Sequence, residues 1–123
     1  MTTLLYAGIL ALLAVLLANQ VLYVRLRGSA EPAWRADATL RVQANFVENV
    51  PLALVLLLVL EVSGIGETAM HLLGSALVLC RVLHAWGMSR TEGANYPRLI
   101  GAQGTFVLLS VMGVAAIYRA LLY

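Results

Sequence analysis

Four apolar stretches, near positions 3–24, 38–62, 69–88 and 100–122, take up almost all of this 123-residue chain. A helix needs about 20 predominantly apolar residues to cross the roughly 30 Å hydrocarbon layer of a bilayer, and each stretch meets or approaches that length. None shows the strict alternation of a half-buried strand, and no repeat or heptad array competes. The expected fold is therefore an all-α membrane protein, a four-transmembrane-helix up-down bundle forming one domain over residues 1–123. Composition agrees: 62% of residues are hydrophobic, 11% are charged and mean hydropathy is +0.90, whereas soluble domains carry about 25% charge.

The first stretch lacks the basic leading segment of a secretory signal. Its apolar run resumes after Asn19 and Gln20 as VLYV, so it is read as a retained helix. Glu67 follows the turn SGIG and suits the positive end of a helix dipole. The fourth stretch opens with Gly101, Ala102 and Gly104, small residues that let helices approach closely. Arginines set the expected orientation. Arg25, Arg27 and Arg35 lie in the first loop with Arg41 just beyond it, the third loop holds Arg90 and Arg98, and residues 63–68 hold no basic residue. The positive-inside rule then puts loops one and three in the cytoplasm and both termini opposite, with Arg119 outvoted.

All eight basic residues are arginine, which keeps its charge when partly buried better than lysine does. They are scattered between apolar stretches rather than gathered on a polar face, so the formal charge of +2 does not indicate nucleic acid. Cys80 is the only cysteine and is read as packing.

Ionisable groups inside the spans carry most of the information, because a charge near mid-bilayer costs about 2.5–3.5 kcal/mol on insertion scales. Arg41, Asn45 and Glu48 recur at i, i+4 and i+7, within a stripe about 60° wide. Arg81, His84 and Met88 follow the same spacing on the third helix, with Arg81 roughly 10 Å from that helix's end. Glu48 lies at a similar depth, so the two can pair. The topology brings Arg25 and Arg98 to the same membrane face, giving about four arginines to one carboxylate, a balance suited to an anion bearing a carboxylate. The competing reading makes these residues interhelical clamps or snorkelling headgroup contacts with no ligand. No metal-binding, serine-hydrolase, Walker or dinucleotide motif is present. His71 has no assigned role, Trp34 suits headgroups, Trp86 suits packing or a pocket wall, and Tyr6, Tyr23, Tyr96, Tyr118 and Tyr123 fall near span ends, as in interfacial belts.

The segment RVQANFVENVP, residues 41–51, has the spacing RxxxNxxExxP at the start of a second transmembrane helix. It resembles the signature of the MAPEG family, the membrane-associated proteins in eicosanoid and glutathione metabolism. VRLR at 24–27 is similar to the basic end of that family's first helix, RVLHAWG at 81–87 to the motif of its prostaglandin-synthase-like branch, and YPRLIG at 96–101 to the place of its thiol-activating arginine. Met88 departs from a frequent tyrosine, and Leu99 from that branch's serine.

The resemblance implies a homotrimer in a bacterial inner membrane, binding glutathione between subunits near the cytoplasmic face. Arg25, Arg41, Gln43, Asn45, Glu48, Arg81 and His84 would contact the tripeptide, and Arg98 would stabilise its thiolate. A hydrophobic electrophile or lipid hydroperoxide would arrive from the lipid, making the chain a transferase or peroxidase. Two rivals stand beside this reading: a non-catalytic lipid-binding or scaffold subunit of the same fold, and a small multidrug transporter. The transporter requires a first-helix carboxylate, and residues 3–24 have none.

Overall fold

The computed structural model describes residues 1–30, 33–90 and 96–122, the side chains of residues 29, 33 and 88–90 excepted. The side chains of Met88 and Arg90, and all of Tyr123, thus lie outside the described residues. Four long helices follow in order: α1 (Thr2–Arg27), α2 (Ala33–Val62), α3 (Glu67–Arg90) and α4 (Tyr96–Leu122), with a single 3-10 turn, Gly28–Ala30, after α1. All four include a segment long and apolar enough to cross a membrane. Consecutive helices pack against each other, α3 with α4 most extensively, in an up-down bundle. The chain is an all-α integral membrane protein.

The helices exceed their apolar stretches at the end where α1 and α3 finish and α2 and α4 begin, called here the first-loop end. Helix α2 starts at Ala33 rather than near 38, α4 at Tyr96 rather than near 100, and α1 continues to Arg27. Hydropathy registers only the depth of the hydrocarbon, whereas helical hydrogen bonding continues into the polar interface wherever no residue opposes it. Pro97 is compatible with the first turn of α4, where its missing N–H has no intrahelical acceptor. Gly28, at φ 55°, stops α1. Pro51 lies inside α2 without ending it, as transmembrane helices allow.

The core sits toward the opposite, second-loop end. On α2 it is formed by Phe46, Val50, Ala53, Leu57 and Leu60, alternating steps of four and three that keep one face inward. Leu10, Met70, Leu77 and Met112 meet that face from the other three helices. Leu52, Val55, Val59 and Val62 point outward and are exposed, as expected of surface solvated by lipid tails. Packing between such helices draws on dispersion and close approach, because lipid is as apolar as leucine.

Polar contacts fasten the second-loop end. Glu61 accepts hydrogen bonds from the backbone N–H groups of Thr2 and Thr3, the latter at 3.0 Å, so a carboxylate on α2 caps the exposed donors of α1. Arg119 donates to the Ser63 carbonyl, and its Nε lies 3.3 Å from Ser63 Oγ. The Tyr6 hydroxyl meets His71 Nδ1 at 2.8 Å and Ser75 Oγ at 3.0 Å. Arg119 and His71, which the sequence left without a role, therefore join helices at this end.

Candidate functional site

The stripe of α2 bearing Arg41, Asn45 and Glu48 lies beside the buried core face, not on it. Arg41 and Glu48 are exposed and Asn45 is partly buried. Across from them, α3 contributes His84 and α4 contributes Arg98, and with Ala44 these residues line a cavity of about 290 Å³. The α3–α4 contact brings the last two together. At Gly101, one turn after Arg98, an added Cβ would lie 2.5 Å from the Cys80 carbonyl oxygen and 2.5 Å from the His84 nitrogen. At Gly104 it would lie 2.5 Å from Cys80 Sγ. Only a residue without a side chain lets the α4 backbone sit this close to α3, which is what holds Arg98 beside His84.

Two polar atoms at this cavity have no protein partner: Asn45 Oδ1 and His84 Nδ1 are both buried and unbonded. A buried polar group left unpaired costs about 1–3 kcal/mol, so such atoms mark a place where a ligand or a neighbouring chain is to be expected. Arg41 is different. Its Nε lies 3.0 Å from Asp37 Oδ2 one turn earlier on the same helix. Asp37 escaped the sequence reading, although the i, i+4 spacing is the ordinary signal for such a pair.

Three expected contributors, Arg81, Arg25 and Gln43, do not line this cavity. Arg81 does not pair with Glu48. It is 1% exposed, donates from Nη1 to Thr105 Oγ1 at 3.3 Å, and stacks its guanidinium 5.8 Å from the Phe46 ring centre. The reason is angular: Phe46 belongs to the core face of α2, about 160° around the helix from Glu48, and Arg81 points to that face. Its Nε and Nη2 are buried without partners. Thr105, which bonds the Gly101 carbonyl at 2.8 Å and holds Arg81, was also missed. A lone threonine in an apolar span carries no signal for it.

Arg25 lines a separate cavity of about 170 Å³ between α1 and the start of α2, together with Gly28, Ala36 and Leu40. Gln43 shares the side of α2 that bears Ala36 and Leu40, about 200° from Arg41. The expected excess of four arginines over one carboxylate is thus absent within one subunit. Arg41 and Arg98 face Glu48 in the cavity, and Asp37 offsets Arg41.

The MAPEG family matches residues 3–118 of this sequence. The chain belongs to the MAPEG family. Two bacterial relatives, both called inner membrane protein YecN, come from Escherichia coli K12 and from Escherichia coli O6:H1. Each is 32% identical to this MAPEG chain over 93 residues, covering 71% of the chain and 70% of the relative. No solved structure matches it.

Proposed function

We propose that this MAPEG protein is a membrane glutathione-dependent transferase or peroxidase acting on a hydrophobic electrophile or lipid hydroperoxide. The observation that carries the reading is one cavity lined by Arg41, Asn45, Glu48, His84 and Arg98 from three helices, with two buried polar atoms awaiting partners. The donor set fits glutathione. Glu48 takes the ammonium, Arg41 and Asn45 take a carboxylate, and Arg98 faces the thiol. A thiol has a pKa near 8.5, and an adjacent guanidinium favours the thiolate, which attacks the electrophile while the leaving group departs.

A volume of about 290 Å³ is at the lower limit for a small-molecule site, generally about 300–1,000 Å³. That supports a homotrimer in which a neighbouring subunit adds Arg25 of α1 and Gln43 of α2, neither of which lines this cavity. The name of the YecN relatives supports an inner-membrane location, and the arginine distribution supports loops one and three in the cytoplasm.

The Arg41–Asp37 pair favours a second reading, in which the polar stripe is a clamp and the subunit is a non-catalytic scaffold. Isothermal titration with glutathione, followed by conjugation to an aromatic halide, separates the two. Binding with turnover is expected. Binding without turnover selects the scaffold, and no binding discards the glutathione reading.

A further inference from the structure

Arg81 is the most deeply buried charge among the described residues and lies within a membrane-length apolar helix. None of the ion pairs among the described residues involves it. Its guanidinium has the Thr105 hydroxyl at one end and the Phe46 ring beside it. One neutral acceptor and one ring do not offset the desolvation of a guanidinium, and an aliphatic side chain of similar volume would fill the space at lower cost. Packing therefore does not account for an arginine at this position.

The pattern of used and unused donors is specific. Nη1 is on the Cδ side of the planar group, so Nε and Nη2 share its other edge. Those two are the atoms buried without partners. One whole edge is thus open, and its two parallel N–H groups match the two oxygens of a carboxylate. Thr105 is itself held from the opposite side. Its hydroxyl donates to the Gly101 carbonyl at 2.8 Å, which leaves the oxygen lone pairs for Nη1 at 3.3 Å.

The residues around the guanidinium connect to the charged cavity through their own helices. Phe46 follows Asn45, Arg81 precedes His84 by one turn, about 4.5 Å along α3, and Thr105 follows Gly101 by one turn. Asn45 and His84 line that cavity, and Gly101 packs against the His84 backbone. Arg81, with its open edge, and His84, with its unbonded Nδ1, therefore share one face of α3.

We propose that Thr105 is a positioning residue: it holds Nη1 of Arg81 so that the Nε and Nη2 edge stays open to receive a carboxylate of the thiol peptide. The proposal rests on the glutathione reading. Arg41 and Asn45 then hold one of the two carboxylates of the peptide, and Arg81 holds the other. Without the threonine hydroxyl the guanidinium turns to satisfy Nη1, and the two-point fit is lost.

Isothermal titration of the whole protein in detergent compares glutathione with two analogues. One is its glycyl ethyl ester, and the other is 4-aminobutyryl-cysteinyl-glycine, which lacks the other carboxylate. Thr105→Val keeps a similar shape and removes the hydroxyl. Glutathione should bind this variant about tenfold more weakly, in keeping with the loss of a charge-assisted hydrogen bond. The analogue already lacking the carboxylate held by Arg81 should lose less than about twofold, which identifies that carboxylate. Thr105→Ser retains the hydroxyl and should bind all three ligands within about twofold of the parent. An equal loss for all three ligands in Thr105→Val, no loss at all, or no recovery in Thr105→Ser overturns the positioning role.

Arg81→Met tests the open edge without any ligand. An arginine retained for a ligand can be replaced at no loss of stability, so the unfolding temperature should equal or exceed that of the parent. A lower one makes Arg81 a structural clamp and overturns the proposal. If the parent fails to bind glutathione, the peptide reading falls, while this stability measurement still decides whether the edge of Arg81 is kept open for an anion.

Discussion

The two ends of the bundle are built on opposite principles. At the second-loop end the polar groups are mostly used up internally: Glu61 caps α1, Arg119 holds the Ser63 turn, and Tyr6 joins His71 and Ser75. The apolar core is concentrated there as well, with Leu57, Leu60, Met70 and Met112 at most 1% exposed. At the first-loop end, Asn45, Arg81 and His84 all carry buried polar atoms with no partner, and three cavities open between the helices. Apart from Thr3 Oγ1, which is buried without a partner, the second-loop end is satisfied by its own chain and sets the geometry. The other is left incomplete, and in a low-dielectric setting incompleteness is costly enough to indicate occupancy.

The largest effect expected from breaking this division is at the α3–α4 contact, which connects the two ends. Gly101→Leu would force a side chain into the Cys80 carbonyl and the His84 backbone and should cost about 3 kcal/mol or more. Thermal unfolding in detergent measures this. A variant as stable as the parent would show that the helices separate freely there and that the charged cavity has no fixed wall.

The next effect tests the division by exchanging two carboxylates on one helix. Glu48→Gln should weaken glutathione binding at least tenfold, the loss of a charged hydrogen bond worth about 1.5–3 kcal/mol. Glu61→Gln should leave affinity alone and lower the unfolding temperature, because its carboxylate holds the α1 N-terminus. Equal affinities in the two variants would remove Glu48 from the site.

Tyr6→Phe should destabilise by about 1 kcal/mol through loss of its bonds to His71 and Ser75, with glutathione affinity unchanged. Hydrogen exchange at the N-terminal turns of α3 should rise in this variant. Protection that stays at the parent level would separate that hydroxyl from the stability of the second-loop end. The smallest effect is at Asp37→Asn. The Arg41–Asp37 pair is more than half exposed on both sides, so its removal should change stability by no more than about 0.5 kcal/mol. A loss of several kcal/mol would instead make Arg41 a structural clamp and support the scaffold reading.

How much of this was legible in the sequence depended on whether a feature lay within one helix or between helices. The stripe Arg41, Asn45 and Glu48 is a property of helical repeat alone, and the three residues do line one cavity. Gln43, taken from the family resemblance, lies off that stripe by the same arithmetic. The supposed Glu48–Arg81 pair required knowing which face of α2 meets α3, and periodicity does not contain that. The roles of Thr105 and Phe46 around Arg81 were likewise invisible, since each is an unremarked residue on a different helix.

The sequence by itself determined that there are four membrane-length helices, because apolar length against bilayer thickness is a one-dimensional match that needs no neighbours. It also determined which ionisable groups share a helical face. Only the tertiary structure decided which faces meet, and therefore that Arg41, Glu48, His84 and Arg98 share a cavity while Arg25 and Arg81 do not line it. That choice rests on the close approach of α4 at Gly101 and on the rotation of each helix about its own axis. Both are fixed by side-chain packing between segments far apart in the chain.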